Sequence, residues 1–344
     1  MAKILVTGGA GFIGSHTAVA LSEAGYEPVV IDDFSNSHRS IVARIGELCS
    51  GPMHFHHVNC NDSQALNHIF ESHQIEGVIH FAAFKAVGES VEEPLKYFEN
   101  NIGSTVELLK ALELYGVSDI VFSSSCTVYG IPDQLPVDEN ASIKTASSPY
   151  GYTKQVCENA LRYTAQSGAD LKGVLLRYFN PIGAHPSGRI GELPIGVPNN
   201  LVPFITQTAI GLRDELKIFG RDYDTPDGTC IRDYIHVMDL AKAHVQSLNW
   251  LKNKPEGAME VFNVGTGQGC SVQEVVDTFE KVSGQDLNYS YAERRPGDVP
   301  SIYADPAKAE KELNWKAEKS MADAMADAWR WEKELKESSD FESR

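Results

Sequence analysis

Basic residues are few in this sequence and form no block anywhere along it. The 344 residues include 30 Lys and Arg against 47 Asp and Glu, which gives a formal net charge of −17. The absence of a lysine or arginine run argues against a nucleic acid or an anionic membrane as the main partner. An anionic small ligand would need a few arginines that override this negative field locally.

Cysteines are also few and widely spaced, at Cys49, Cys60, Cys126, Cys157, Cys230 and Cys270. They form no C-x-x-C pair, so the usual zinc and redox motifs are excluded and no metal is expected. No apolar run approaches the roughly 18 residues of a membrane span, and the start, MAKILVTGG, has no charged-then-apolar leader. Repeats and low-complexity tracts are missing as well. The sequence predicts a globular, cytoplasmic protein with reduced cysteines.

Short apolar runs alternate with segments of helical periodicity through the first half of the chain. We predict strands at Lys3–Thr7, Glu27–Asp32, 54–58, 78–82, 120–123 and 174–179, and a long helix marked by apolar residues from Leu95 to Leu112. Strands that are apolar along their whole length, alternating with helices, imply a parallel sheet covered on both faces. The expected fold is α/β, a doubly wound, Rossmann-like sheet.

After Asn180 the sequence changes, because PIGAHPSGRIGELPIGVPNN is rich in Pro and Gly. We predict a dinucleotide-binding domain at 1–180 and a smaller α/β lobe, mainly for substrate binding, at 181–335. Residues 261–264 are expected to return to the main sheet. Residues 336–344, within ELKESSDFESR, are expected to form a frayed tail.

Three glycines, Gly8, Gly11 and Gly14, lie between the first predicted strand and the first helix. A dinucleotide pyrophosphate needs this placement, because missing β-carbons let its oxygens approach N–H groups at the positive end of a helix. Asp32, at the end of the second strand, can accept both ribose hydroxyls and would repel a 2′-phosphate, so NAD is favoured over NADP. Arg39, which is nearby in the sequence, is the one residue that would favour NADP.

The serines at 123–125 are followed by Tyr150-x-x-x-Lys154, and with the glycines this set resembles the extended short-chain dehydrogenase/reductase family. On a helix, positions i and i+4 share a face, so Lys154 can hold positive charge near the Tyr150 hydroxyl. A phenol with a pKa of about 10 becomes a base near neutral pH only if its ionised form gains roughly 4 kcal/mol. An ammonium and an oxidised nicotinamide ring together could supply that stabilisation. Ser125 would bind the same substrate oxygen.

Six longer stretches together resemble the UDP-glucose 4-epimerase family within this larger group. They are IHFAAFKAVGESVEEPL, FSSSCTVYG, RYFNPIGAHPSG, PIGVPNNLVP, DGTCIRDYIHVMDL and RRPGDVPSIYADP. The resemblance implies a tightly bound NAD, a UDP-hexose substrate and a homodimer. It also implies oxidation at the sugar's C4, rotation of the keto sugar, and return of the hydride to its other face.

The resemblance assigns the site residues as follows. Cofactor binding is implied for Gly8, Gly11, Phe12, Ile13, Gly14, Asp32, Asp33, Asn36, Ser37, Asn59, Cys60, Phe81, Ala82, Ala83, Lys85, Asn100, Ser123, Tyr150, Lys154 and Tyr178. Substrate binding is implied for Lys85, Ser125, Tyr150, Asn180, Asn200, Leu201, Arg232, Arg295, Asp298 and Ile302. The two arginines would bind the diphosphate and Asp298 the uridine ribose. Ala83 departs from the family's frequent glycine.

Several alternatives stay open at this point. Ile302 stands where, by the resemblance, tyrosine narrows the sugar pocket and cysteine or serine opens it, so N-acetylated UDP-hexoses are an alternative substrate. A 4,6-dehydratase would need an Asp-Glu pair after Ser125, where Cys126 and Thr127 stand. A net dehydrogenase would exchange NAD at each turnover, and a non-catalytic NAD-binding protein would not need Tyr150.

Three histidines crowd the third predicted strand. Alternation places His54 and His56 on one face and His57 on the other, with no evident carboxylate partner. We interpret them as a surface or internally satisfied histidine cluster rather than as metal ligands.

Overall fold

The computed structural model describes residues 1–295 and 298–338. Its strands are β1 (Lys3–Thr7), β2 (Glu27–Asp32), β3 (His54–His57), β4 (Ile75–His80), β5 (Asp119–Ser123), β6 (Lys172–Tyr178), β7 (Asn180–Ile182), β8 (Leu216–Phe219), β9 (Ile231–Arg232), β10 (Tyr234–His236), β11 (Met259–Val264), β12 (Cys270–Ser271), β13 (Tyr289–Ala292) and β14 (Ser301–Ile302). Its α-helices are α1 (Phe12–Glu23), α2 (Ser40–Leu48), α3 (Ser63–Ser72), α4 (Val87–Glu92), α5 (Pro94–Tyr97), α6 (Gly103–Tyr115), α7 (Pro149–Gln166), α8 (Leu201–Ala209), α9 (Val237–Leu251), α10 (Val272–Ser283), α11 (Ala307–Glu312) and α12 (Met321–Glu337).

The main sheet, in the part of the chain that the structure describes, has seven parallel strands in the order β11-β6-β5-β4-β1-β2-β3. Helices α1, α2 and α9 pack together on one face, and α3, α6 and α7 pack on the other. The strand order reverses between β1 and β4, where such sheets bind ligands at the carboxyl ends of their strands. The predicted doubly wound α/β fold is confirmed.

The second lobe is built from short elements over its own apolar core. Small sheets pair β7 with β10, β8 with β13, and β9 with both β12 and β14. Helices α8, α10 and α12 enclose this core, which contains Ile205, Val276, Phe279 and Met325.

Strand β11 returns to the main sheet as predicted and pairs with β6 along its whole length. Just after it, Thr266 and Gly267 donate backbone hydrogen bonds to the buried Asp233 carboxylate at 2.8 and 3.1 Å. The backbone N–H of Ala304 donates to the same carboxylate at 3.1 Å. Asp233 follows Arg232, so the segment that carries this arginine is fixed by bonds from two other parts of the chain.

The predicted helix from Leu95 to Leu112 is wrong as one continuous element. A π-helical segment, Phe98–Ile102, interrupts it between α5 and α6. The cause is visible at Asn101, whose side chain accepts from the backbone N–H of Phe84 at 2.8 Å and donates to its oxygen at 3.0 Å. The irregular turn directs Asn101 to the loop after β4, which lies at the cofactor edge of the sheet.

The expected frayed tail is wrong at residues 336 and 337, because α12 continues to Glu337. Ser338 then accepts a 2.8 Å hydrogen bond from buried Arg44. Residues 339–344 of the expected tail lie outside the described residues, as do Pro296 and Gly297 of the RRPGDVPSIYADP stretch. Within the described part of the chain, every helix is too short or too polar to span a bilayer.

Candidate active site

The glycine loop after β1 leaves room for a dinucleotide pyrophosphate. Gly8 has φ +64°, and a β-carbon there would lie 2.8 Å from the backbone nitrogen of Ala82 at the end of β4. At Gly14 a β-carbon would overlap the Gly8 oxygen, whereas at Gly11 its nearest neighbour is that oxygen at 3.2 Å. No described side chain caps the first turn of α1 at Gly11. These free N–H groups and missing β-carbons fit a bound pyrophosphate.

Asp32 lies at the carboxyl end of β2, where a ribose would be bound. Its Oδ2 accepts from the Ala10 backbone at 2.9 Å, and its Oδ1 accepts from the Phe34 backbone at 2.9 Å and from the Ser37 hydroxyl at 2.7 Å. Burial raises the pKa of Asp32, and these hydrogen bonds oppose that effect. The carboxylate is held rigidly at the edge of the cavity.

The neighbours of Asp32 take other roles. Asp33 accepts from the backbone N–H of Ser35 at 2.9 Å and from the Asn59 side chain at 2.7 Å, so it stabilises the turn. The exposed Arg39 stacks its guanidinium 5.0 Å from the centre of the Phe34 ring. Arg39 thus packs on an aromatic ring beside the site.

Tyr150 and Lys154 lie on the buried face of α7, one turn apart. The helix begins with Pro149, and the Ser148 hydroxyl accepts from the Gly151 backbone at 3.1 Å, which fixes the first turn. The Lys154 ammonium lies 6.0 Å from the centre of the Tyr150 ring. Ser125, which follows β5, lies beside the Tyr150 hydroxyl and favours its ionised form. The three side chains predicted to be catalytic therefore meet in one place.

Burial dominates the proton affinities of this group. Burial raises the pKa of Tyr150 far above its usual range, the neighbouring Tyr178 adds to the rise, and the hydrogen bond with Ser125 opposes it. Burial also lowers the pKa of Lys154 to about 8. Protein groups alone therefore keep Tyr150 protonated at neutral pH, and a further positive charge is needed to favour the phenolate.

One cavity of about 940 Å³ runs from the glycine loop to the second lobe. Except for Ser125 and Leu201, all the residues predicted to bind cofactor or substrate line it. Ser125 lies next to Tyr150. Leu201 instead begins α8 and packs against the core of the second lobe. The structure therefore brings the two predicted residue sets, which share Lys85 and Tyr150, into a single space.

At the far end of the cavity, two arginines share one carboxylate. Asp298 accepts from Arg232 at 3.3 Å and from Arg295 at 3.0 and 3.1 Å. Arg232 also donates to the backbone oxygens of Ile231 and Val299, both at 2.8 Å. The cluster carries a net charge of +1 in a protein that is strongly acidic overall. It offers fixed N–H donors to an anionic ligand.

Glu192 is a site residue that the sequence analysis missed. Its carboxylate accepts from Lys85 at 3.0 Å and from Asn200 at 2.5 Å, and so links two residues predicted to bind substrate. Trp331 donates to the Glu192 backbone oxygen at 3.0 Å and fixes its position. Lys85 is 107 residues away along the chain, so no local spacing could have indicated this contact.

The histidine cluster on β3 does have a carboxylate neighbour, contrary to the expectation from the sequence. His54 Nε2 lies 2.7 Å from a Glu27 oxygen, and His56 Nε2 lies 2.8 Å from His73 Nε2. The histidines therefore satisfy one another and a neighbouring strand. Among residues 1–295 and 298–338, no group of three or more His, Cys, Asp or Glu side chains is arranged to hold a metal ion.

The sheet, the glycine loop and the grouping of Ser125, Tyr150 and Lys154 define a protein of the extended short-chain dehydrogenase/reductase class. A family model described as GDP-mannose 4,6 dehydratase, which represents this class broadly, matches residues 5–328. The UDP-glucose 4-epimerase of Bacillus subtilis is 51% identical over 329 residues, 96% of each chain. That of Mus musculus is 48% identical over 97% of each chain.

Solved structures agree with these relatives. A UDP-glucose 4-epimerase from Stenotrophomonas maltophila, with bound NAD and formylated UDP-arabinopyranose, has a TM-score of 0.94 at 44% identity and covers 98% of this chain and 99% of its own. One from Bifidobacterium longum, in complex with NAD+ and UDP, has a TM-score of 0.93 at 42% identity over 99% and 100%. The chain belongs to the UDP-glucose 4-epimerase family.

Proposed function

We propose that this protein is an NAD-dependent isomerase that interconverts UDP-glucose and UDP-galactose through a 4-keto sugar. One observation carries the proposal: Tyr150 and Lys154 line one cavity together with the glycine loop and the Arg232 cluster, and Ser125 lies beside Tyr150. That arrangement supports simultaneous binding of a dinucleotide and a nucleotide sugar on either side of one proton-transfer group. The interconversion belongs to galactose metabolism.

Tyr150 takes the proton from the C4 hydroxyl when the sugar is oxidised. It returns the proton when the keto sugar is reduced. Ser125 donates a hydrogen bond to the same oxygen and so stabilises the negative charge that develops there. NAD held along the glycine loop and Asp32 would supply the hydride chemistry, taking hydride from C4 and giving it back to the opposite face. Because the net redox change is zero, the protein's task is to retain the cofactor between the two halves of the reaction.

The proton affinities described above fit this scheme. Burial alone disfavours the Tyr150 phenolate. The Lys154 ammonium, held 2.7 Å from the backbone oxygen of Ser123, supplies one fixed positive charge on that side of the ring. A phenol in such a site ionises only when positive charge approaches it from the substrate side as well. Proton abstraction is thereby coupled to the presence of the oxidised cofactor.

The cavity offers the diphosphate and the hexose different contacts, which suits a sugar that must rotate while the nucleotide stays bound. Arg232 is anchored by two backbone oxygens and is suited to hold a diphosphate. The cavity wall near the sugar includes apolar Ile302, which offers no hydrogen bond to a hexose hydroxyl. We propose that residues 181–335 mainly hold UDP and residues 1–180 hold NAD, so the hexose between them is free to rotate.

The dehydratase alternative lacks the chemistry it needs. Burial raises the pKa of the Cys126 thiol to about 12, so it stays protonated and is a poor base. The Thr127 hydroxyl donates a hydrogen bond to Ser125 at 3.0 Å, and threonine has no carboxyl group that could serve as the acid. Elimination of water across C5 and C6 requires an acid and a base at these positions. Epimerisation requires neither.

We also propose a homodimer that buries the exposed surfaces of α6 and α7. These helices pack side by side, and Leu114, Tyr152 and Tyr163 are 66%, 51% and 72% exposed on them. Large apolar and aromatic side chains gathered on adjacent helices are typical of a subunit interface. Analytical ultracentrifugation should give twice the chain mass, and Tyr163→Glu should shift the population to monomer. A cytoplasmic location remains a prediction for cell fractionation.

The proposed reaction is tested with purified protein and no added cofactor. Incubation with UDP-galactose should yield UDP-glucose, and denaturation should release NAD from the protein. Deuterium at C4 of the sugar should remain at C4 in the product. Absence of bound NAD, or loss of the deuterium to free nicotinamide cofactor, would refute the proposed function.

A further inference from the structure

A second charged residue lies on the buried face of α7, one turn beyond Lys154. The Glu158 side chain is 2% exposed, and its carboxylate has four hydrogen-bond donors. Ser124 donates to Oε1 at 2.6 Å, and Arg177 donates through Nε and Nη2 at 2.9 and 2.6 Å. Arg162 donates to Oε2 at 3.0 Å. None of these groups has a part in the proposed proton transfer.

The pair formed by Glu158 and Arg177 has both charges out of water, since the Arg177 side chain is only 3% exposed. The two-point geometry matches a guanidinium to a carboxylate and restricts both side chains. Arg177 also stacks 4.7 Å from the ring centre of Tyr129, whose hydroxyl donates to Asn263 at 2.7 Å. The ion pair therefore links α7 to β6 and, through Tyr129, to β11.

Ser124 connects this ion pair to the catalytic segment. It is fully buried and stands between Ser123 and Ser125. The Ser123 oxygen accepts from Lys154, the Ser124 hydroxyl donates to Glu158, and the Ser125 side chain lies beside Tyr150. Three consecutive serines thus face three residues at successive turns of one helix face, and the first two are hydrogen-bonded to it. A bond lost at the central serine would loosen the segment next to Ser125.

We propose that Glu158 is a positioning residue for the epimerisation: through Ser124 it holds the Ser125 hydroxyl and Tyr150 at the distance at which both reach one sugar oxygen. The inference rests on the proposed function, and it assigns a kinetic role to an ion pair that contacts neither substrate nor cofactor. A displacement of a catalytic group by a fraction of an ångström slows proton transfer while leaving binding intact.

The test compares two serine-to-alanine variants of the NAD-loaded protein. Ser124→Ala removes the hydroxyl that reaches Glu158 and leaves the pair with Arg177. Ser118→Ala is the matched control, because Ser118 donates at 2.7 Å to Asp119, whose carboxylate pairs with Lys172 at 3.0 Å. Asp119 and Lys172 join the same strands, β5 and β6, at their opposite ends.

We expect kcat to be about tenfold lower in Ser124→Ala than in the wild-type protein. KM and the amount of bound NAD should change little, and the melting temperature should be close to that of Ser118→Ala. The primary isotope effect with deuterium at C4 should increase, because the chemical step becomes more fully rate-limiting. Ser124→Thr, which keeps a hydroxyl, should recover most of the kcat. If the pair of Glu158 with Arg177 is merely structural, Ser124→Ala should lower the melting temperature and leave kcat and the isotope effect unchanged.

Unchanged kcat and an unchanged isotope effect in Ser124→Ala, beside an active wild-type protein, would overturn the inference and leave the proposed function standing. Equal losses of kcat in Ser118→Ala and Ser124→Ala would also overturn it. A wild-type protein that lacks bound NAD and leaves UDP-galactose unconverted would overturn the proposed function, and this inference with it.

Discussion

The ammonium of Lys154 donates a 2.7 Å hydrogen bond to the backbone oxygen of Ser123, the last residue of β5. The main sheet therefore fixes the position of the lysine, and the tyrosine does not. Since Lys154 is 4% exposed, water screens its charge little, and the field at the Tyr150 ring is set by folded geometry. The chemistry of the site is accordingly a property of how α7 docks on the sheet.

Tyr150→Phe should abolish most turnover without affecting binding. The substitution removes the proposed proton acceptor and leaves the ring that packs in the cavity, so kcat should fall by about a thousandfold. Bound NAD and the affinity for UDP should stay at wild-type values. Tyr163→Phe, on the exposed side of the same helix, is the control. A Tyr150→Phe variant that turns over at the wild-type rate would refute the proton-transfer role.

Arg232→Ala should weaken nucleotide binding more than it slows chemistry. The guanidinium donates to two backbone oxygens and pairs with Asp298, so its removal takes away a fixed cationic donor for the diphosphate. Calorimetry with UDP should show affinity lower by about 10- to 100-fold, the range for charged hydrogen bonds. Arg294→Ala, which breaks an exposed pair with Asp222, should have little effect. Similar losses in both variants would argue against a specific contact.

Ile302→Tyr should discriminate against N-acetylated sugars. Ile302 is 8% exposed, lines the cavity, and lies in register with Arg232 on the neighbouring strand. A larger ring there removes space that an acetamido group would need and leaves the unsubstituted hexose accommodated. We expect kcat/KM for UDP-N-acetylglucosamine, relative to UDP-glucose, to fall at least about tenfold. Ile302→Leu keeps the volume and should keep the ratio; an unchanged ratio in the tyrosine variant would exclude Ile302 from substrate selection.

Mild acid should destabilise the fold through buried neutral histidines. Burial lowers the pKa of His16, His80 and His244 to about 3, about 3 and about 4. An unfolded histidine has a pKa of about 6.5, so the unfolded chain binds more protons below that pH, and stability is lost as pH falls from about 6.5 toward these folded values. Each histidine contributes a slope of about 1.4 kcal/mol per pH unit.

His244→Phe tests this assignment. His244 packs 4.7 Å from the Phe81 ring, so an aromatic replacement keeps the contact and removes the titrating group. The free energy of unfolding in urea, measured from about pH 5 to about pH 6, should depend on pH less steeply by about 1.4 kcal/mol per unit. An unchanged slope would show that His244 is not a buried neutral histidine in solution.

The sequence predicted the regular part of the fold well, because that part follows from local patterns. The bounds of β1 and β2 agree with prediction, since both are short apolar runs closed by turn residues. The π-helical segment at Phe98–Ile102 could not be predicted this way. Its apolar residues keep helical spacing, and the distortion arises from contacts that Asn101 makes with Phe84 and Thr153 elsewhere in the chain.

The site residues that stand in sequence motifs could be predicted. Those that are placed by tertiary contacts could not. Gly8, Tyr150 and Lys154 stand in spacings that chemistry requires. Glu192 and Glu158 have no such spacing, because their partners come from distant strands and loops. His54 shows the same limit, since its carboxylate partner Glu27 lies on the adjacent strand and only the sheet register brings the two together.

The pairing of β11 with β6 constrains how this chain is made. The first six strands of the main sheet leave the ribosome well before residues 259–264. One edge of β6 therefore stays unpaired during synthesis. Its buried run, Lys172–Tyr178, is apolar enough to recruit another nascent strand. Expression of residues 1–180 alone would make that exposure permanent, and chaperone dependence and aggregation in the full chain should be greatest before Val264 emerges.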